Sequence, residues 1–273
     1  MAKKKIEEIY KEMDELTHIL ERPGMWVGSV KEEQKQMFLY NTESKVMETR
    51  EITYIPAMLK VVDEVISNSC DEYRRPTNMG LNKLKVTISS DGWVEIEDNG
   101  GIPIVMHPTA GCYVPEFIFG RLRTSSNYND DEDRMVIGTN GVGSALASVF
   151  SKKFIVESAD TKNKFHRTWK DNMRTLCDDL AVEKCSDHYT CTKFWLDFKR
   201  FDTKDKTFTI NCSEESVDMR VSTMLDLYRY AAFDDILNKE IIPENLRKFD
   251  VTVLVFNTPI KKYHTRLGKR RRR

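Results

Sequence analysis

The sequence lacks the features that place a chain in a membrane or in a secreted disulfide framework. No apolar run among its 273 residues approaches the ~18 that a membrane span requires. The lysine-rich start has no apolar segment behind it, so we expect no signal peptide. None of the six cysteines forms a C-x-x-C pair, and their spacings match neither a zinc site nor a disulfide framework. We therefore expect a protein without membrane spans in a reducing intracellular compartment.

Acidic residues are missing from the end of the chain, where the last one is Asp250. Residues 261–273 carry eight Lys or Arg, which leaves 35 basic and 43 acidic residues in 1–260, a net charge of −8. Such a basic segment contacts nucleic acid, acts as a nuclear localisation signal, or is simply a solvated terminus. The remaining composition, 40% hydrophobic and 32% charged overall, is typical of a globular protein with one large domain or two small ones.

The spacing of apolar residues predicts interspersed helices and strands. Helices are predicted at residues 6–20, 56–73, 113–122, 145–150 and 214–233, and residues 26–55 are predicted to be irregular. Strands are predicted at 83–89, 93–98, 153–158, 164–170, 190–198 and 251–256, the first two joined by a hairpin turn at Asp91-Gly92. There is no internal repeat and no βαβ regularity, so we expect one mixed sandwich of helices and sheet.

Polar residues recur on one side of the predicted helix 56–73. In a helical projection Glu64, Asn68 and Asp71 fall within about 60° of one another. The apolar residues of this helix that cluster on the opposite side are Leu59, Val62, Ile66 and Cys70. The polar stripe is either a solvated face or part of a site, and its carboxamide and carboxylates differ from the Lys/Glu pairs of ordinary surface helices.

A carboxylate stands at the end of the second predicted strand. Val94, Ile96 and Asp98 share one face of this strand, so Asp98 points towards the core if the two apolar residues do. A buried carboxylate is costly unless donors satisfy it. Asp98 is therefore either a binding residue or a cap of the turn that follows it, since Asp-Asn-Gly strongly favours a turn.

A glycine-rich segment, Gly138-Thr139-Asn140-Gly141-Val142-Gly143, precedes a predicted helix. Glycines let backbone N–H groups approach an anion closely. The segment is not a Walker A loop, because no Gly-Lys-Ser/Thr follows, and no βαβ unit surrounds it as a dinucleotide fold requires.

The order of these motifs is more specific than any one of them. The chain reads Glu64-x3-Asn68-x2-Asp71-Glu72, then Asp98-x-Gly100-Gly101-Ile102-Pro103, then Gly138-x2-Gly141-x-Gly143, then Thr190. This resembles the GHKL ATP-binding fold of DNA gyrase, heat-shock chaperones, histidine kinases and mismatch-repair ATPases. Within that group it is similar, over about residues 8–235, to the ATPase region of type IIA DNA topoisomerases, particularly the eukaryotic and the large-phage or viral kinds. Further residues that carry this match are Arg22-Pro23, Tyr113-Val114-Pro115, Thr124-Ser125-Ser126-Asn127, Trp169-Lys170-Asp171-Asn172 and Tyr189-Thr190-Cys191.

The resemblance implies an α+β fold, a two-layer sandwich whose mixed, mostly antiparallel sheet is covered on one face by helices. It implies an N-terminal arm at residues 1–25, an ATP-binding domain at 26–258 and a basic tail at 259–273, with the transducer domain and the cleavage core of the family absent from the chain.

The resemblance also implies a Mg·ATP site. Glu64 is expected to be the general base and Asn68 the Mg²⁺ ligand, while Asp98, supported by Thr190, accepts a hydrogen bond from the adenine amino group. Tyr10 either contacts the nucleotide of a partner subunit or packs on its own helix. The other expected nucleotide-binding residues are Asp71, Gly101, Ile102, Ser125, Ser126, Asn127, Gly138, Thr139, Asn140, Gly141, Val142, Gly143, Ser144 and Ala145.

Two departures from the family pattern bear on this site. The family usually has one more residue, commonly Arg or Lys, between the glycines that are adjacent here as Gly100 and Gly101. Eukaryotic members have a lysine where Ala145 stands. A further lysine of the family, which contacts the γ-phosphate, belongs to the transducer domain. Because this lysine is missing, we expect the chain alone to bind Mg·ATP but to hydrolyse it slowly.

The implied function is that of an ATP-driven gate, which forms a homodimer on ATP binding and is coupled to DNA strand passage by a topoisomerase cleavage core. Its expected location is with the DNA, in the nucleus of a eukaryote or in the host cytoplasm for a phage or virus. Two other functions stay open: a non-catalytic dimerisation module switched by ATP, and a DNA-binding accessory protein that acts through its basic tail.

Overall fold

A computed structural model describes residues 12–40, 47–74, 80–88, 93–124, 142–202, 248–255 and 258–266. The helices in these ranges are α1 (Glu15–Glu21), α2 (Pro56–Arg74), α3 (Val114–Gly120) and α4 (Gly143–Val149). The strands are β1 (Glu33–Tyr40), β2 (Met47–Tyr54), β3 (Lys83–Ile88), β4 (Val94–Asp98), β5 (Ser151–Asp160), β6 (Asn163–Lys170), β7 (Thr175–Leu176), β8 (Ala181–Lys184), β9 (His188–Leu196), β10 (Lys248–Val255) and β11 (Thr258–Arg266). Within this part of the chain no helix is long and apolar enough to cross a bilayer.

Nine of the strands in these ranges form one sheet in the order β11-β10-β3-β4-β9-β5-β6-β7, with β8 also paired to β6. Neighbouring strands run antiparallel except for β10 and β3, which are parallel. Strands β1 and β2 form a separate antiparallel pair. The mixed, mostly antiparallel sheet that we expected is therefore confirmed.

The helices cover one face of this sheet. Helix α2 contacts β4, α3 contacts β5 and β6, and α4 contacts β5 and β9. Along β4 the residues on the covered face, Val94, Ile96 and Asp98, are buried, while Glu95 and Glu97 lie on the opposite face and are half-buried. The two-layer prediction is thus confirmed, and the strict alternation in β4 places Asp98 inside, as the sequence indicated.

Helix α2 is buried along a stripe that only partly matches its predicted apolar side, of which Ile66 is buried. Its Pro56 stands in the first turn, where a missing N–H costs nothing, and Ala57 donates its N–H to the carbonyl of Ser29 at 2.9 Å. The fully buried stripe repeats every four residues and comprises Ala57, Val61, Val65, Ser69 and Tyr73. The predicted apolar side was wrong in part, since Leu59 and Val62 are only half-buried. Glu64 and Asn68 each precede a member of the buried stripe and flank it.

The first part of the chain differs from prediction at two places. Helix α1 begins at Glu15 because the Asp14 carboxylate caps it, accepting a bond from the Thr17 N–H at 2.9 Å, so a helix through residues 12–14 was wrong. The segment expected to be irregular contains β1 and β2, whose polar residues do not alternate clearly with apolar ones.

Other predicted elements fall at the edge of the described residues or outside them. Strand β11 pairs with β10 inside the segment that we expected to be a basic tail, residues 259–273. Residues 1–11 with Tyr10, the turn at 91–92, the loop 125–141 and the predicted helix 214–233 lie outside the described residues.

Candidate functional site

Two polar residues of α2 lie against the start of α4. The Asn68 Nδ2 donates a hydrogen bond to Ser144 Oγ at 3.2 Å. Gly143 faces Glu64 so closely that a Cβ at this position would collide with the Glu64 carboxylate. The Glu64 carboxylate also forms an ion pair with Lys60, one helical turn earlier. A glycine at 143 therefore allows α4 to begin directly against the acid and the amide of α2.

The Asp98 carboxylate is buried at the end of β4 and accepts two hydrogen bonds. The Ser69 hydroxyl on α2 donates to its Oδ2 at 2.6 Å, and the Gly100 N–H donates to its Oδ1 at 2.9 Å. Burial raises the pKa of Asp98 to about 7, although the bonds from Ser69 and Gly100 favour the charged form. This carboxyl group therefore changes its protonation state near neutral pH, and its ionised form can accept a further bond from a ligand donor.

Thr190 lies beside Asp98 because β9 pairs with β4 in the register Asp98↔Thr190. The Thr190 hydroxyl donates to the Gly100 carbonyl at 2.8 Å and lies 3.0 Å from Ser158 Oγ. Ser158 in turn accepts a bond from the Ile102 N–H at 3.1 Å. Asp98 and Thr190, predicted as site residues from separate parts of the sequence, thus both contact the turn that contains Gly101 and Ile102.

Helix α2 joins these two groups, since Asn68 contacts α4 and the next residue, Ser69, contacts Asp98. Asp71, one turn further, is buried. Val142 packs against the core, and the Ala145 methyl group is buried in it. The predicted site residues Tyr10, Ser125, Ser126, Asn127, Gly138, Thr139, Asn140 and Gly141 lie outside the described residues.

Sequence reasoning missed an acid beside Glu64. Burial raises the pKa of Asp63 to about 8, with Lys60 opposing the shift, and its Oδ1 has no hydrogen-bond partner among the described residues. Asp63 therefore carries a proton at neutral pH. The sequence does not show that Asp63 differs from its neighbour Glu64, because the burial of each acid depends on which side of α2 is covered in the fold.

Sequence reasoning also missed Ser69, which donates to Asp98, and the two side chains that accept hydrogen bonds from the turn after β4, Ser158 and His188. The alternation of β9 places His188 on the same face as Thr190, which is the one signal that could have found it. Ser69 and Ser158 carry no signal, because isolated serines are common in helices and strands.

Comparisons with known proteins identify this arrangement. No family model matches the chain. It is 40% identical over 205 residues to DNA topoisomerase 2 of Caenorhabditis elegans, covering 73% of this chain and 13% of that protein. It is 39% identical over 199 residues to DNA topoisomerase 2-alpha of Rattus norvegicus, covering 72% of this chain and 13% of the relative. The chain therefore spans far less than two thirds of the length of these relatives.

Solved structures agree with the sequence comparison. The ATPase region of Saccharomyces cerevisiae topoisomerase II superposes with a TM-score of 0.73 at 29% identity, covering 93% of this chain and 62% of that one. The ATPase and transducer domains of the Balamuthia mandrillaris enzyme give a TM-score of 0.76 at 30% identity, covering 94% and 61%. This chain belongs to the type II DNA topoisomerase family. Its counterpart within that family is the ATPase region, as the resemblance of the sequence motifs indicated.

In this topoisomerase family member, the Asp98 carboxyl group makes stability depend on pH. Its pKa is raised on folding from 3.8 to about 7, so the folded state holds a proton that the unfolded state releases between these values. The stability that this proton provides is complete below about pH 4 and is lost as the pH rises to 7.

We expect Asp98→Asn to remove this dependence. We compare the melting temperature of the variant minus that of the unsubstituted chain, measured by circular dichroism in matched buffers. This difference should be more positive at pH 8 than at pH 4.5. Glu95→Gln on the open face of the sheet is the control, and its relative melting temperature should change little. An Asp98→Asn difference that stays constant across this range would show that the carboxyl group is not held in its acid form.

Proposed function

We propose that this chain binds Mg·ATP between α2, the start of α4 and the turn after β4, and that it hydrolyses the nucleotide as part of a topoisomerase gate. The observation that carries the proposal is the convergence on α2: Glu64 and Asn68 face the start of α4, while the neighbouring Ser69 holds the carboxylate of Asp98. The kinship with topoisomerase II ATPase regions supports it.

In the proposed site the adenine base lies against Asp98, Thr190 and the turn from Gly100 to Ile102. An amino group of a purine is a donor, and Asp98 is a buried acceptor whose two protein donors leave lone pairs unused. Nucleotide binding favours the ionised carboxylate, because a hydrogen bond to the charged form lowers its pKa. Thr190 supports the base through the hydroxyl that already holds the Gly100 carbonyl.

The triphosphate occupies the end formed by α2 and the segment that leads into α4. The Asn68 amide fits a magnesium ligand, because its nitrogen is engaged by Ser144 and its oxygen is the atom that a hard cation prefers. Magnesium, when bound, neutralises charge on the phosphate oxygens. The glycine at 143 keeps space beside Glu64 that a side chain would fill. That Ser125 to Asn127 and Gly138 to Gly141 contribute to this triphosphate end of the site stays a prediction.

Glu64 is the general base of the proposed reaction. Its side chain is 20% exposed, which gives water access, and it borders the proposed phosphate site at Gly143. The carboxylate accepts a hydrogen bond from the attacking water and takes its proton. Lys60 keeps this carboxylate ion-paired before nucleotide binds, and the protonated Asp63 adds no second charge beside it.

The activity of the whole topoisomerase extends this proposal beyond the chain. We infer that ATP binding brings two copies together and that hydrolysis releases them, in coordination with a cleavage core that passes one DNA segment through another. DNA is then the substrate of the complete enzyme, with a contribution from the basic residues near the end of this chain. The location that follows is wherever the DNA lies, the nucleus in a eukaryote.

Glu64→Gln should separate binding from hydrolysis. The amide retains the shape of the side chain but cannot take a proton, so we expect ATP turnover to fall roughly 100-fold or more, the usual contribution of a general base. Binding of a non-hydrolysable ATP analogue with Mg²⁺, measured by calorimetry, should change less than about threefold. Glu95→Gln is the matched control, since Glu95 lies on the other face of the sheet and should affect neither quantity.

Each contrary result of this experiment has a distinct meaning. Turnover that survives Glu64→Gln would refute the role of Glu64. Binding of the analogue with no turnover in the unsubstituted chain would favour the non-catalytic ATP switch. Absence of nucleotide binding would overturn the proposal and leave the DNA-binding accessory protein as the better account.

Dimerisation is tested separately by light scattering. We expect the mass of the chain to shift from monomer towards dimer on addition of Mg²⁺ and the analogue, and Asp98→Ala, which lacks the proposed adenine acceptor, to reduce this shift. A chain that binds the analogue and stays monomeric would contradict nucleotide-driven dimerisation by these residues.

A further inference from the structure

The turn that joins β4 to the following segment is held by side chains of neighbouring strands. Of its backbone groups, the Gly100 carbonyl accepts from Thr190 and the Ile102 N–H donates to Ser158. Two further groups are engaged by one residue, His188, the first residue of β9. The Gly101 N–H donates to His188 Nε2 at 3.0 Å, and His188 Nδ1 lies 3.0 Å from the Asn99 carbonyl oxygen.

These two bonds require one form of the imidazole. A carbonyl oxygen cannot donate, so Nδ1 carries the proton and donates to Asn99. A backbone N–H cannot accept, so Nε2 is unprotonated and accepts from Gly101. The neutral His188 ring therefore joins the Asn99 carbonyl to the Gly101 N–H, the backbone groups on either side of Gly100.

The ring also packs directly against the turn. A Cβ built on Gly101 would lie 2.7 Å from His188 Cδ2 and would collide with the Ala159 carbonyl oxygen. A Cβ on Gly100 would lie 2.6 Å from Leu81 Cδ1 on the other side. The adjacent glycines thus let the turn lie between Leu81 and His188, and His188 occupies part of the space that a side chain at position 101 would need.

We propose that His188 is a positioning residue for the nucleotide, because it holds the shortened Gly100-Gly101 turn against β9. This inference rests on the proposed function, in which that turn and Asp98 contact the adenine base. Asp98 is bonded to the Gly100 N–H, so displacement of the turn moves a donor away from the carboxylate that recognises the base. His188 touches neither Glu64 nor Asn68 among the contacts described, so it acts on binding rather than on the hydrolytic step.

The two bonds of the ring are tested by His188→Leu and His188→Gln. Leucine has a similar volume but can neither donate nor accept a hydrogen bond, so the Gly101 N–H loses its partner. The free-energy cost of an unpaired buried donor is typically enough to weaken nucleotide binding roughly tenfold or more. Glutamine has one acceptor and one donor on its amide and should restore affinity to within about threefold. His166→Leu is the matched control, because His166 lies on the opposite face of the sheet, bonded to Glu157 and Asp179.

Calorimetry with Mg²⁺ and a non-hydrolysable ATP analogue measures affinity, and single-turnover hydrolysis at saturating ATP measures the chemical step. We expect His188→Leu to weaken binding at least tenfold while changing the saturated rate less than about twofold. Hydrogen exchange of residues 99–102 in the nucleotide-free chain should be faster in His188→Leu than in His188→Gln or His166→Leu. A general loss of folding would instead raise exchange across the core strands.

The outcomes separate this inference from the proposed function. If the unsubstituted chain binds the analogue and His188→Leu binds it equally well, the positioning role is wrong and the proposed function stands. The same holds if glutamine is as damaging as leucine while both variants remain folded. If the unsubstituted chain binds no nucleotide, both the proposed function and this inference are overturned.

Discussion

The proposed site depends on two hydrogen bonds that consecutive residues of α2 make. Asn68 donates to Ser144 at the start of α4, and Ser69 donates to Asp98 at the end of β4. Successive residues of a helix point about 100° apart, so one turn of α2 reaches both the neighbouring helix and the sheet beneath it. The polar residues that we assign to phosphate and to adenine are thereby held at a constant separation by a single rigid element.

A second constraint is the cost of placing acids inside this layer. Burial raises the pKa of both Asp98 and Asp63, so the free energy of folding is less favourable at neutral pH than it would be with neutral residues there. Asp98 has donors that offset part of this cost, whereas Asp63 Oδ1 has none among the described residues. Perturbed carboxyl groups of this kind are typical of functional sites. In our account the nucleotide supplies a third donor to Asp98, beside Ser69 and Gly100.

The sequence predicted the parts of the fold that follow from local spacing. Helix α2 and strands β3 and β4 appear within one or two residues of their predicted bounds, and the alternation of β4 predicted that Asp98 faces inward. Strands β1 and β2 were missed, since their polar residues give no alternation and their pairing with each other defines them. The buried stripe of α2 was predicted only in part, since Ile66 is buried but Leu59 and Val62 are half-buried. Which side of the helix is covered depends on its packing against β4 and α4, a property of tertiary structure.

The site itself was predicted mainly from the order of motifs. The structure places Glu64 and Asn68 against the start of α4 and Asp98 beside Thr190. Their roles towards a nucleotide stay predictions, and the distances between these segments do not appear in the sequence. His188 escaped prediction for the same reason, because a histidine at the start of a strand acquires its role only when the register brings it to Gly101. The shortened glycine turn was visible in the sequence, whereas the side chain that holds it was not.

The most direct test of the central claim is a crystal structure of the chain with Mg²⁺ and a non-hydrolysable ATP analogue. The account predicts the adenine amino group within hydrogen-bond distance of Asp98, the metal at the Asn68 amide oxygen, and the terminal phosphate beside Glu64. No nucleotide beside these residues at millimolar analogue, or a nucleotide bound elsewhere on the chain, would contradict it.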